Sequence, residues 1–372
     1  MLLAISLCAL APMSPMVEVL DVDPTTGPYF DISGAVLAAS DGDVIRVAPG
    51  IYGSFAIRGK SLTIVGGPGV RVEGVVRVQE LAADQFASLH GLELHELRFQ
   101  SEERLILGYN QGAVRLEDVA VRMVQNGEYA YATDGVRVVQ SDDVTFVSCE
   151  IGPKMGYDST FNRLVGGFGL SVNQSRVSLF DCQVAGGGDA GFSAISGFGS
   201  TLELFGTTAQ GGSGGYSYLT FAGNCRGLSG SGGHGVALGS STLRTIDCTL
   251  LGGFRGIDQC YNYTYAPGLP VSLDANSIQV VEDGIAPLLN APDLVPEGST
   301  FTLDVESEPG DIVLLLVGAA PRRVEPIGTF GSLLIQGGAG YRRLLLGGGG
   351  NYQTTLTAPD LPPMETLTLH TQ

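Results

Sequence analysis

The chain has 372 residues, 55 of them Gly, and a formal net charge of −18 at pH 7. Gly at roughly twice its usual ~7% marks many tight backbone positions, whereas a 44% hydrophobic content excludes a purely low-complexity chain. With 16% charged residues, no Trp, and Lys only at Lys60 and Lys154, the composition argues against helix bundles and phosphate-backbone binding, and predicts a mostly β protein without a nucleic-acid partner.

The chain opens with an apolar stretch from Leu2 to Leu10, and Ala9-Leu10-Ala11 forms an A-x-A pattern suited to signal-peptidase cleavage. Residues 1–11 are therefore expected to be an export leader, which places the mature protein outside the cell or on its surface. No other stretch reaches the ~18 apolar residues that span a bilayer, the longest candidate being Ile312 to Val317 with its neighbours.

From residue 92 onward one phrase returns: two alternating apolar residues, a small or acidic residue, then two more alternating apolar residues. Its instances are LELHELRF, VRLEDVAV, VTFVSCEI, VSLFDCQV, TLELFGTTA and TLRTIDCTL. The equivalent residues Leu97, Val119, Cys149, Cys182, Thr207 and Cys248 are spaced by 22, 30, 33, 25 and 41 positions, so a constant core carries loops of variable length. Period-2 alternation on both sides of the break predicts two short strands. The break residues Glu96, Asp118, Ser148, Asp181, Gly206 and Asp247 are mostly types that tolerate left-handed backbone or cap it locally, so each coil is expected to bend there. A third strand opened by Gly is expected at Gly135-Val136, Gly169-Leu170, Gly191-Phe192, Gly235-Val236 and Gly256-Ile257. Three strands per coil, with no helical period, describe a parallel β-helix.

The entry segment DISGAVLAASDGDVIRVAPGIY, Asp31 to Tyr52, resembles the N-terminal cap and first coil of the right-handed parallel β-helix superfamily that includes pectate lyases, pectinesterases and polygalacturonases. The resemblance implies a short amphipathic helix at about Ile32 to Ala39 plugging the open end of the core, and it covers residues 29–286. Beyond Asp283-Gly284 the pattern changes. Pro287, Pro292 and Pro296 bracket a linker over 287–298, and runs at Phe301 to Val305, Ile312 to Val317, Ser332 to Ile335, Arg342 to Leu346, Gln353 to Thr357 and Thr366 to His370 predict a small C-terminal β-sandwich over 299–372. The other reading of this region is a domain that caps the last coil.

Chemistry is expected where coils stack, because in-register parallel strands place equivalent residues about 4.8 Å apart. The residues preceding the expected third strands are Asp134, Phe168, Ala190, His234 and Arg255, with Asp189 beside them. Ala132-Thr133-Asp134-Gly135 is similar to the Asn-Thr-Asp-Gly word of polygalacturonase-type glycoside hydrolases, and Gly233-His234-Gly235 to their Gly-His-Gly. The similarity implies Asp134 as one catalytic carboxylate and His234 as its support. That family's Asp-Asp word is half matched by Gly188-Asp189-Ala190, and its Arg-Ile-Lys word is unmatched, since Gly256-Ile257-Asp258 puts Asp258 where Arg is expected. Two carboxyl groups about 6.5 to 9.5 Å apart suit inverting hydrolysis, and Asp134 and Asp189 are expected two coils apart. The plainer reading of Asp134 and His234 is that they are polar corner residues of a coil.

Lys154, Tyr157 and Arg163 share one long insertion and supply the groups a lyase would need, with Ca²⁺ neutralising a uronate. Loop Tyr residues, among them Tyr157, Tyr216, Tyr218, Tyr261 and Tyr263, combine a flat apolar face with a polar tip and suit stacking on sugar rings; the alternative is burial against the solenoid. Together with Arg255 and Asp258 they are the expected contacts to an extracellular polysaccharide. If that glycan is acidic, Ca²⁺ is expected to bridge it to a chain of this charge. Cys149, Cys182 and Cys248 fall on inward positions as small hydrophobes, and Cys225 and Cys260, in loops of successive coils, are the expected disulfide in an exported chain. Metal-ligand spacing such as C-x-x-C is absent, so no metal site is expected, and nothing in the sequence sets an oligomeric state. Two function classes follow: a polysaccharide hydrolase or lyase centred on Asp134, Asp189 and His234, or a non-catalytic glycan-binding surface protein.

Overall fold

A computed structural model describes side chains over residues 18–95, 103–122, 134–152, 167–188, 191–215, 230–259 and 263–281, and elsewhere only the backbone of short strands. Three parallel sheets dominate it, here named A, B and C, with ten, eight and eight strands. One coil shows the plan. Asp143–Val147 lies in sheet A, Glu150–Ile151 in sheet B and Leu170–Asn173 in sheet C, and each pairs in register with the equivalent strand of the coils on either side. The chain is a parallel β-helix.

The core follows from the alternation. Leu116, Val144, Phe146, Cys149, Leu179, Cys182, Leu204 and Leu243 are buried as expected, while Cys248 and Leu250, in the last full coil, are half-buried against the same cluster. A helix over Ile32–Ala38 begins at Asp31, whose carboxylate accepts from the Gly34 amide, and it buries Ile32, Ala35 and Val36.

The bend between sheets A and B is built as the phrase repeat predicts. Asp118, Ser148, Asp181, Gly206 and Asp247 have φ of 52°, 50°, 51°, 57° and 50°, the left-handed region that turns the chain between two strands. The residue after each bend points inward, and in four coils it also hydrogen-bonds across the bend. Cys149, Cys182 and Cys248 donate their thiols to the carbonyls of Val147, Phe180 and Ile246, and Thr207 donates its hydroxyl to Phe205 at 3.1 Å. Cys and Thr thus play the same part here: a small side chain whose one donor adds a second bond to a carbonyl that already accepts a backbone amide of the preceding coil. The register of LELHELRF differs from expectation. Leu94 pairs with Val121, so Leu92 is the equivalent of Val119 and the bend is Gly91, φ 60°, while Glu96 and Leu97 lie outside the described residues. The word alternates throughout, so its phase was open, and Gly supplies the left-handed position at no steric cost.

The corner between sheets C and A is sealed by a ladder absent from the expectations. Backbone amides of Ser141, Ser175, Ser200 and Ser241 donate to the hydroxyls of Ser175, Ser200, Ser241 and Ser277 in the following coil, at 3.0, 3.2, 3.0 and 3.1 Å. Asn110 extends it by donating to Ser141.

Beyond the solenoid, strands appear near five of the six expected C-terminal runs, with Thr300–Glu306 pairing antiparallel with Asn351–Thr357 and Val313–Val317 with Arg342–Leu346. Leu288–Asn290, expected inside a linker, pairs with Thr300–Glu306 instead. Thr366 to His370 and the expected leader, residues 1–11, lie outside the described residues. Among the described residues no helix is long and apolar enough to cross a membrane.

Candidate functional site

Coil length varies chiefly at one corner. From Phe86–His90 onward the A-to-B connection is always two residues, and the C-to-A connection spans two to six residues along the solenoid. The B-to-C connection grows from two residues at Tyr52 to Phe55 to twenty-five between Gln210 and Val236. Insertions gathered on one face of a repeat architecture are a common binding device, and here they leave the solenoid at the corner between sheets B and C.

A column of residues lies two positions before each sheet C strand. Leu105, Val136, Leu170, Ile195, Val236 and Val271 are register partners in succession. The column is therefore Glu103, Asp134, Phe168, Ser193, His234 and Leu269, which corrects the expected one at two places. Gly191 does not open a strand: it is a left-handed turn residue, φ 65°, and the strand starts at Ile195. Gly256-Ile257 is not a sheet C strand either, because Ile257–Asp258 pairs with the insertion strand Tyr216–Leu219. Arg255 thus belongs to an insertion, where it is exposed, and Asp189 and Ala190 lie outside the described residues.

Asp134 and His234 keep their places in the column but are three coils apart, roughly 14 Å at ~4.8 Å per coil, too far to form a catalytic pair directly. Each serves the next coil. Asp134 Oδ1 accepts from the Phe168 amide at 3.0 Å, Ser193 Oγ from the His234 amide at 3.3 Å, and His234 Nδ1 from the Leu269 amide at 3.0 Å. This bond assigns the neutral His234 proton to Nε2. Burial raises the Asp134 carboxyl above the ordinary carboxylate range, opposed by the Phe168 amide and reinforced by the neighbouring Glu103. Glu103 in turn is held by Arg137 at 3.3 Å.

The insertions are carried on glycine backbone packed against glycine backbone. The amide of Gly212 donates to Phe192, Gly233 to Gly212, Gly253 to Gly233 and Gly268 to Gly253, at 2.8, 2.8, 2.7 and 2.9 Å. A Cβ on Gly212 would run into the carbonyl of Gly187, and one on Gly253 into the carbonyl of Gly212. Only Gly allows this approach, and it accounts for much of the glycine excess. On this layer two insertions of successive coils build one small sheet: Tyr216–Leu219 pairs with Ile257–Asp258 and Cys225–Arg226, and Ile257–Asp258 with Tyr263–Thr264. Tyr216, Tyr218, Asp258 and Tyr263 are thereby gathered, with Cys225 on the edge strand. Asp258 is buried, whereas Tyr263 is 57% exposed with its ring edge-on to Tyr265, 4.8 Å between centroids. Tyr157 and Arg163 sit on the separate hairpin Gly156–Asp158 and Arg163–Val165, one register position apart. Tyr261 and Cys260 lie outside the described residues, as does any sulfur contact of Cys225.

Exposed aromatic residues outside the sequence expectations include Phe254, 75% exposed on an insertion, and Phe198, 57% exposed on sheet C. The signal for Phe198 was its parity, since Ile195 and Gly197 point inward and Ser196 and Phe198 therefore point out. A Cβ on Gly239 would sit 3.1 Å from the Phe198 ring, so that ring lies across the next coil. Between Phe198 and the insertion corner the outward positions of sheet C are Ser171, Ser196, Ala237 and Ser272, register partners that form a floor of small side chains. Among the described residues no group of three His, Cys, Asp or Glu is placed to hold a metal ion.

No protein family and no curated protein matches the chain in sequence. Solved structures similar to it include pectate lyase Pel9A, at 12% identity over 70% of this chain and 78% of that one, with a TM-score of 0.31. The enzymatically active domain of Bacteriophage CBA120 tailspike protein 2 matches at 10% identity over 91% and 69%, TM-score 0.28. The A-module of the Azotobacter vinelandii mannuronan C-5 epimerase AlgE4 matches at 10% identity over 68% and 93%, TM-score 0.22.

Proposed function

We propose that this chain is an exported protein that binds an extracellular polysaccharide along the outer face of sheet C, between Phe198 and the insertion corner. The observation that carries the reading is the confinement of the long insertions to the corner that sheet C shares with sheet B: the insertions carry exposed aromatic rings, and the outward row of sheet C is a floor of small, mostly hydroxyl side chains. Flat aromatic faces suit the C–H faces of sugar rings, small hydroxyls suit their hydroxyl edges, and a straight row of equivalent positions suits a repeating polymer. Export follows from the apolar A-x-A start, and the Cys225 to Cys260 bridge belongs to the same reading. Affinity electrophoresis against a polysaccharide panel is the test. Phe198→Ala is expected to weaken binding of the retained glycan about tenfold without moving thermal unfolding, and unchanged retention would remove this face from the site.

A second reading is favoured by one observation, the raised carboxyl of Asp134, a form suited to a general acid. In it Asp134 protonates the leaving glycosidic oxygen and Asp189 activates water, while His234, three coils away, holds the Leu269 amide of the next coil. Asp134→Asn and Asp189→Asn would each then cost orders of magnitude in reducing-sugar release. Full activity in both variants would move the chemistry to the Lys154 to Arg163 insertion, and no release from any parent digest favours binding alone.

A further inference from the structure

We infer that the polysaccharide taken by sheet C is uncharged. This rests on the glycan reading above and adds the class of glycan. Salt screens charge beyond about 8 to 10 Å, so the total of −18 does not decide the matter; the groups on the face do.

On the floor itself the described groups are neutral, and Arg137, which adjoins it, is paired with Glu103. The floor is Ser171, Ser196, Ala237 and Ser272, and the row beside it is Asn173, Phe198 and Gly239. The corner column beside the same coils is Phe168, Ser193, His234 and Leu269, in which His234 already uses Nδ1 to accept from a backbone amide. The floor row continues one strand further into Arg137, the register partner of Ser171, whose charge is met by Glu103 at 3.3 Å. Arg226 and Arg255 belong to insertions and are no part of sheet C.

Carboxylates stand at both edges. Asp274 lies beyond Phe198, where a Cβ on Gly239 would be 3.4 Å from its Oδ2; the Ser277 hydroxyl and the Ser240 amide hold its carboxyl below the ordinary range, so it is ionised at neutral pH. Asp134 stands at the other edge, one coil before the floor begins. A polyuronate brings a carboxylate with every sugar, and each one desolvated on this floor without a cation would be penalised. A neutral polymer meets no such penalty and still finds hydroxyl partners and a ring to stack on.

The test uses the full chain in affinity gels cast with neutral polysaccharides, β-glucan, xylan and galactomannan, or with polygalacturonate or alginate, each with chelator and with Ca²⁺ and at low and high salt. Retention by at least one neutral polymer, unchanged by salt, with no retention by uronates in chelator, is expected. Ser196→Arg, which puts a cation on the floor, should gain salt-sensitive retention on polygalacturonate. Uronate binding by the parent in chelator at low salt would overturn the inference while leaving the glycan reading standing. Silence in every gel would overturn both.

Discussion

The two corners that flank sheet B are built on opposite principles. At the A–B corner one left-handed residue and one inward side chain make the turn in two residues, coil after coil, and a residue added there displaces everything stacked beyond it. At the B–C corner the chain leaves the solenoid for up to twenty-five residues and returns in register, because the glycine layer re-forms backbone hydrogen bonds between insertions of successive coils. Register is held where side chains turn into the core, and length is free where backbone meets backbone.

The largest expected effect breaks this contrast directly. One residue inserted between Asp181 and Cys182 shifts the inward set of the following strand and removes the donor that bonds across the bend, which should cost several kcal/mol and abolish cooperative unfolding. The same insertion between Ser159 and Thr160, in a B–C insertion, should change unfolding free energy by only a few tenths of a kcal/mol. Thermal melts followed by circular dichroism decide it, and equal sensitivity at both corners would erase the distinction.

Next in size is the glycine layer. Gly212→Val places a side chain against the carbonyl of Gly187, and overpacking of this kind typically costs 1–3 kcal/mol. Because the layer carries the insertions rather than the core, hydrogen exchange should accelerate in residues 211–235 and 252–270 while sheet A stays protected. Uniform exchange across the solenoid would mean that the layer is part of one cooperative unit.

The sequence was legible where a residue type has one physical use. Period-2 runs flanking Asp118, Ser148, Asp181 and Asp247 specify strand, left-handed turn and strand, and those four stand where expected. Gly was ambiguous. At Gly135, Gly169 and Gly235 it precedes a sheet C strand, at Gly191 it turns the chain, and at Gly212 and Gly253 it admits a neighbouring backbone. One letter serving three uses moved the expected column off Ser193 and Leu269 and onto Ala190 and Arg255. Pairing between insertions, which gathers Tyr216, Asp258 and Tyr263, leaves no trace in a single sequence because its partners lie about forty residues apart in strands of two to four residues.

The donors that bond across the A–B bend give a smaller effect. Cys182→Ala removes both a packed sulfur and the second hydrogen bond to the Phe180 carbonyl, which keeps the Ser148 amide, and should cost about 1–2 kcal/mol, whereas Cys182→Thr, which reproduces the arrangement at Thr207, should cost less. The neighbouring Cys149 and burial push the Cys182 thiol up, so alkylation of the folded protein at neutral pH should spare it. Rapid labelling, or a Thr variant worse than Ala, would refute this account of the bend.

The smallest effect concerns Asp134, where the B–C corner meets the candidate site. Its carboxyl is raised above 3.8 in the folded chain, chiefly by burial, so the folded state holds the proton more tightly than the unfolded one. Between 3.8 and the folded value the native state binds more protons, and the contribution of this group to stability therefore falls as pH rises through that window. At neutral pH the charged form is penalised in the fold. Asp134→Asn removes the charge while its Oδ1 can still accept from the Phe168 amide, so its melting temperature at pH 7 should be equal to or slightly above that of the parent. The difference should vanish below pH 3.8, where the parent carboxyl is protonated in both states. Melts of both proteins across that range separate two roles for one residue. A variant that folds as well as the parent but no longer releases sugar makes Asp134 catalytic. A variant less stable at pH 7 would mean that the ionised carboxylate itself holds Phe168 and the next coil in place.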